Sequence, residues 1–255
     1  MPAHSPSGRL ATRTALLATL TALLALAGLL LVNSARADGA RALGHAAVST
    51  HATQVVGELT DAAAARLVPR LGEDRPDNAA DNQREPTPAQ LAAFRAHDTS
   101  LPTAYRDRVD GHYRGSTNQI ITWAADKWGL NPDLLRAVAA VESWWHMYTV
   151  GDDGHAYGLF QIDVRYHADQ ALAANDTAFN ADYYGAIIRS YYDGAQTWLN
   201  TVSGNGERYR AHDLWDSIGY WASGRWDVSS GWSYVHQVTS DLAERVWLQP
   251  SFDGR

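Results

Sequence analysis

Cysteine is absent from the sequence. Its absence excludes a thiol nucleophile, a Cys-ligated metal and any disulfide, and a domain of this size holds together without such links. Positive charge is also scarce: 21 lysines and arginines face 28 aspartates and glutamates, for a formal net charge of −7. A chain so charged is a poor partner for nucleic acid and lacks long-range attraction for anionic surfaces. No internal repeat is present, and residues 38–100 contain neither Trp nor Tyr.

What is present divides the chain in three. Residues 1–37 read as a targeting segment. Arg9 and Arg13 supply positive charge, Ala15 to Val32 is apolar, and Ala35-Arg36-Ala37 offers a small-x-small cleavage pattern. The apolar run is also about as long as a short membrane span, so an uncleaved anchor is the alternative to a signal peptide. No Cys follows it, which excludes lipoprotein anchoring. Either way the remainder is expected outside the cytoplasm, secreted or in the cell wall. Cleavage after Ala37 removes three arginines and takes the charge from −7 to about −10. Residues 38–100 read as an Ala-rich linker or pro-segment, most polar from Gly72 to Pro86. Within it a short helix is expected in Val55–Leu71, and Thr87-Pro88-Ala89-Gln90 resembles a capping box that opens a helix through Ala96. All ten tryptophans lie between Trp123 and Trp247, and all twelve tyrosines at or after Tyr105. Residues 101–255 are therefore expected to form the globular domain.

That domain is organised around Asn131 to His167. Asn131, Pro132 and Asp133 make a helix start. Leu134, Val138, Val141 and Trp145 then recur at helical spacing, which predicts a helix over Asn131–Met147. Glu142 lies four residues after Val138 and seven after Leu135, so its carboxyl shares a face with apolar side chains. Lost hydration there raises a carboxyl pKa, as a general acid working near neutrality requires. Next comes a Gly- and Asp-rich turn, Gly151–Asp163, read as a short β-like hairpin that carries Asp152 and Asp163. Further helices are expected over Thr117–Trp128, over Thr177–Asp193 with Thr177 as cap, over Asp213–Ala222 and over Ser233–Leu248. Phe179, Tyr183, Ile187 and Tyr191 form a core stripe, and residues 200–211 a polar loop. The fold class is mainly α. A Ca²⁺ loop is a poor reading of the Asp-rich turn, because the ligand spacing is missing.

Glu142-Ser143, then Gly151-Asp152-x-Gly154, then Gly158-Leu159-x-Gln161-x-Asp163-x-Arg165-x-His167 resembles the catalytic segment of goose-type lysozymes. The pattern is similar also to the wider soluble lytic transglycosylase family. The resemblance is dense over Leu134–His167, thinner over Gly115–Leu248, and does not reach residues 1–100. It implies a lysozyme-like helical domain that cleaves the β-1,4 bond between N-acetylmuramic acid and N-acetylglucosamine of peptidoglycan glycan strands, without a cofactor or metal. Under it Glu142 protonates the glycosidic oxygen. Asp152 and Asp163 hold the attacking water if the reaction is hydrolysis. In lytic transglycosylation Glu142 serves first as acid and then as base, and a 1,6-anhydro end forms. Both chemistries stand at this point. The bland readings are a turn residue for Asp152, with Asp153 its neighbour, and an ion pair with Arg165 or His167 for Asp163. Many lysozymes aimed at foreign bacteria are basic; the acidic balance leans towards remodelling of a bacterium's own wall.

The resemblance also makes Gln161 a sugar contact or a loop brace, sets Tyr157 and Gly158 in the cleft floor, and places His167 beside the saccharide. Ser143 reads as a packing partner, since no His and Asp arrangement supports a nucleophile. Asn180 followed by Gly185, and Tyr234 followed by Val238, echo the family too. One signature departs. Where the family has Ala-Tyr-Asn-x-Gly, this chain has Tyr220-Trp221-Ala222-Ser223-Gly224. A Tyr hydroxyl directed at Glu142 is thereby in doubt, unless Tyr220 supplies it by a one-residue shift. Among the tryptophans, Trp221 and Trp226 are expected in the cleft, where indole faces suit the C–H faces of sugars; Trp144, Trp145 and Trp232 are further candidates, and Arg225 a contact for a muramyl carboxylate or peptide. The contrasting reading is a glycan-binding module without catalysis, and a more distant one is cleavage of chitin or chitosan.

Overall fold

Local chemistry sets the helix ends. In the computed structural model, which describes residues 54–167, 169–201 and 208–252, Asp61–Leu67 (α1), Pro88–His97 (α2) and Thr103–Arg106 (α3) precede the central stretch. Thr87 caps α2, with both halves of the capping box formed. Thr117–Trp128 (α4) begins on a second capping box, from Ser116 and Gln119, and ends at Gly129 with φ +66°. A Cβ there would overlap the carbonyl of Val56, so only glycine closes this helix. Pro132–Ser143 (α5) starts where Asn131 accepts the N–H of Asp133 at 2.8 Å. Gln170–Asn175 (α6), Thr177–Tyr192 (α7), Leu214–Ser223 (α8) and Ser229–Glu244 (α9) complete the helices.

Two expected boundaries move. Asp176, rather than Thr177, caps α7, accepting the N–H of Phe179 at 2.8 Å, because the Thr177 side chain is wholly buried. The last helix begins four residues before Ser233 and breaks at Arg245, which takes a left-handed conformation ahead of a 3₁₀ turn, Val246–Leu248.

The described part is mainly helical, with one small antiparallel sheet: Val150–Gly151 (β1), Ala156–Tyr157 (β2) and Ile162–Asp163 (β3), in that order. Val150 faces Tyr157 and Tyr157 faces Ile162 across it. Among the described residues no helix is long and apolar enough to cross a membrane; the leader or anchor read in residues 1–37 lies outside them, as do residues 38–53 and half of the polar loop 200–211, residues 202–207.

Helix α7 is the central post. Its predicted stripe of Phe179, Tyr183, Ile187 and Tyr191 is buried, and so is the opposite side with Ala181, Tyr184 and Ile188. Helices α4 and α8 pack on it, and α9 lies against α5 and α8. One charged group is built into this core. The Lys127 ammonium is buried against Asp182 at 2.8 Å and Asp110 at 3.3 Å, with Asp61 close by. Burial opposes the charge, but Asp182 and Asp110 outweigh it and hold the Lys127 pKa above its ordinary value. The ammonium thus fills the centre of a three-carboxylate cluster that a cation could otherwise enter.

The linker reading fails over residues 54–100. Ala64, Leu91 and Phe94 are buried in the same core as the later helices, and Phe94 meets Phe179 edge-on at 5.2 Å. Each such aromatic contributes on the order of 2–3 kcal/mol by burial. Even the most polar stretch hides Arg75, Asn78 and Asn82. Its polarity is spent on other segments' backbone rather than on water.

Asp216, in the first turn of α8, is also buried, with Arg210 at 3.7 Å. Burial, then repulsion from Asp213 and Asp227, raises its pKa above the ordinary 3.8. The unfolded chain therefore releases this proton at lower pH than the folded one does, and stability falls as pH rises through that window. Asp216→Asn is expected to raise Tm at pH 8 and to change it little at pH 3.5; a thermal melt series across pH that shows a constant offset would overturn this.

Candidate active site

The end of α5 presents Glu142. The helix was expected to run to Met147 but stops at Ser143, because Trp144 (φ 55°) and Trp145 (φ 67°) turn into the left-handed region. For bulky residues this costs on the order of 1–3 kcal/mol each, and buried polar side chains offset it. Arg75 Nε donates to the Trp144 carbonyl at 2.9 Å, Asn78 donates to the Trp145 carbonyl at 2.7 Å, and the N–H of Met147 returns to Asn78 Oδ1 at 2.8 Å. Ser143 Oγ donates to the Leu159 carbonyl at 2.8 Å, tying the helix end to the turn that follows. That is a packing role, as its sequence setting suggested.

The turn lies close beneath the site because Gly158 allows it. With φ +75°, a Cβ at this position would collide with Asn180 Nδ2 and the Ala173 carbonyl. Asn180, fully buried, accepts the N–H of Phe160 at 2.9 Å and donates to the carbonyls of Tyr157 at 3.0 Å and Ala173 at 2.7 Å. Gln161 donates to the carbonyls of Thr149 at 3.0 Å and Gly158 at 2.9 Å. Of its two expected roles, the brace is the one its amide fills. The Tyr157 hydroxyl donates to the Gly154 carbonyl at 2.5 Å.

Around the Glu142 carboxyl stand three aromatic side chains from three helices. Tyr234 of α9 donates its O–H to Glu142 Oε1, and the Trp221 indole N–H of α8 donates to the same carboxyl. Tyr184 of α7 is buried beside them, stacked on Phe160 at 4.3 Å and edge-on to Trp221 at 5.1 Å. Its hydroxyl has no hydrogen-bond partner among the described residues. Glu142 keeps some solvent exposure, yet protein atoms crowd the carboxyl. Burial pushes its pKa up to about 7, against the opposing effect of the Tyr234 and Trp221 donors. No cation pairs with it among the described residues. The group therefore holds its proton close to neutrality and can give it up.

The departure at Trp221 is thus chemically compensated: an indole N–H reaches Glu142 where a phenol O–H was expected. Tyr220 does not take that part, since its hydrogen bond is to Tyr191 and its ring packs on Tyr191 at 4.7 Å. Trp226 is fully buried, edge-on to Tyr209 at 4.7 Å, and offers no face to a ligand. Trp145 is buried as well, Trp144 packs on Phe252, and Trp232 donates to Asp227 at 2.8 Å. His167 stacks on Trp221 at 5.2 Å. Burial pushes its pKa down to about 4, so at neutral pH it is an uncharged backing for the indole.

Asp152 and Asp163 stand on the sheet, in the 3₁₀ turn after β1 and at the end of β3. One side chain claims both. Arg165 Nη2 pairs with Asp152 and, at 2.5 Å, with Asp163 Oδ2, while its Nε lies 2.9 and 3.1 Å from the two Asp163 oxygens. The ion pair that was the bland reading for Asp163 is formed, and it includes Asp152.

Sequence reasoning passed over Tyr184 and undervalued Tyr234. Tyr184 lies four residues after Asn180, so the two share a helical face towards the turn; that spacing was the available signal. Since each donor to Glu142 favours the carboxylate, removing one raises its pKa. In ¹³C NMR of carboxyl-labelled protein, whose six glutamates give a sparse spectrum, Glu142 is expected to titrate near 7 and to move higher in Tyr234→Phe and Trp221→Phe. A downward move in either variant contradicts the assigned bonds. No family model matches the chain, and no curated protein sequence matches it.

Proposed function

We propose that the chain is a peptidoglycan muramidase with a lysozyme-like helical domain, acting outside the cytoplasm in cell-wall remodelling. It cleaves the β-1,4 bond between N-acetylmuramic acid and N-acetylglucosamine, with Glu142 as the acid that protonates the departing oxygen. The observation that carries this reading is the setting of Glu142: a carboxyl with a pKa raised to about 7 by burial, no cationic partner among the described residues, and hydrogen-bond donors from Tyr234 and Trp221. Those donors favour the carboxylate and so ease proton release as the bond breaks. The Gly151–Asp163 segment, braced by Asn180 and Gln161, is tied to the end of the same helix through Ser143.

Purified peptidoglycan, incubated with the protein and examined for soluble muropeptides by mass spectrometry, tests the reading. Release of disaccharide-containing fragments is expected. Protein that sediments with the walls and releases nothing would favour a glycan-binding module instead, and activity on chitin alone would change the substrate.

A further inference from the structure

The geometry points to Arg165 as the residue that selects the product of cleavage. By engaging Asp152 and Asp163 together it keeps their carboxylates from activating a water, so the cleaved sugar is captured by its own 6-hydroxyl instead of being hydrolysed. This rests on the muramidase reading and adds to it a residue that decides between its two outcomes.

A carboxylate that activates water must keep a lone pair free for it. Asp163 has little to spare. Its Oδ1 accepts the backbone N–H of Arg165 at 3.0 Å and Arg165 Nε at 2.9 Å. Its Oδ2 accepts Nε at 3.1 Å and Nη2 at 2.5 Å. These four contacts come from three N–H groups of one residue, the single Nε–H being shared between the two oxygens, and they take up most of the about four acceptor positions of a carboxylate. Asp152 shares the same Nη2 and is more than half exposed, at 54%, far from the water-excluded setting in which a base is most effective. Glu142, by contrast, is bound by two neutral donors and, among the described residues, by no cation. It is the one carboxyl of the three able both to give a proton and to take one back.

The reaction then closes without water. The bond between muramyl C1 and the bridging O4 breaks, and O4 takes the Glu142 proton. The muramyl O6 bonds to C1, and the O6 proton passes to the Glu142 carboxylate, restoring the starting acid. Hydrolysis would instead place a water oxygen on C1 and its proton on an aspartate.

Arg165 acts through the aspartates, so it is a positioning residue, and the ratio of anhydro to reducing ends is the readout. That ratio is set within each turnover and does not depend on how much enzyme is folded. Wild type, Arg165→Lys, Arg165→Ala and Arg165→Ala/Asp163→Asn are compared on purified peptidoglycan by mass spectrometry. Anhydro ends, lighter by one water, are expected to dominate for the wild type. Arg165→Ala should raise the share of reducing ends at least tenfold, Arg165→Lys less, and the added Asp163→Asn should return the ratio towards wild type. Reducing ends from the wild type, or an unchanged ratio in Arg165→Ala, would overturn the proposal and leave the muramidase reading standing. No fragments from the wild type at all would remove the muramidase reading itself, and the selection with it.

Discussion

Glu142→Gln is expected to reduce fragment release from peptidoglycan by about 10²–10⁴-fold, the usual contribution of a general acid, and at the same time to make the protein more stable. The two effects have one cause. Glutamine has nearly the same shape, and its carbonyl oxygen can still accept the Tyr234 hydrogen bond, but it has no acidic proton to give. The stability gain follows from linkage. The Glu142 pKa is raised from its ordinary 4.5 to about 7, so between those values the unfolded chain binds fewer protons than the folded one, and stability falls as pH rises. Above pH 7 the whole cost is present, on the order of 3 kcal/mol. The glutamine variant escapes it. Its Tm is expected to match wild type near pH 4 and to rise above it progressively up to about pH 7. A structural glutamate in an ion pair would behave oppositely, losing stability on substitution. Retained release, or a Tm lowered at pH 8, would remove Glu142 from its assigned role.

Periodicity and end chemistry made much of the helical frame legible. Thr117–Trp128 has the predicted bounds, and the Phe179–Tyr191 stripe is buried, because both are written in local spacing. Glu142 stood out for the same reason, as a carboxyl on an apolar face. The residues that surround it were harder to see. Tyr234 and Tyr184 lie 92 and 42 positions further along the chain, and only the packing of α7, α8 and α9 brings them to one carboxyl. Trp226 misled because a Gly/Ser-containing neighbourhood resembles a surface loop, whereas its ring closes the core against Tyr209. Composition misled most over residues 72–86. Polar residues there were counted as needing water, but a guanidinium or an amide can equally satisfy another segment's carbonyls, and sequence does not reveal which carbonyls lack partners.

A chain beginning at residue 101, the boundary that composition suggested, is expected not to fold. Residues 73–82 join the start of α4 to the end of α5. The Glu73 carboxylate accepts the N–H of Thr117 at 3.0 Å, and Asn82 holds Glu73 at 2.7 Å. Asn78 spans both helices, donating to Thr117 Oγ1 at 3.0 Å and to the Trp145 carbonyl at 2.7 Å while accepting from Met147. Arg75 adds the carbonyls of Trp144 and Phe252, and Asp77 pairs with His146 at 2.6 Å. Without this strap the left-handed turn at Trp144–Trp145 keeps its strain and loses its partners. Asn78→Ala alone leaves a buried N–H and a buried carbonyl unpaired, at about 1–3 kcal/mol for each. Deleting the whole segment also strips Leu91 and Phe94 from the core, and the combined loss approaches the 5–15 kcal/mol that holds an ordinary domain together. Denaturant melts followed by tryptophan fluorescence check both expectations. Asn78→Ala should lower the midpoint without changing the slope, and the 101–255 fragment should show no cooperative transition. A fragment that melts like the full chain would return residues 54–100 to the status of a linker. Since the strap grips the turn two residues after Glu142, Asn78→Ala is also expected to slow glycan cleavage under conditions where the variant remains folded.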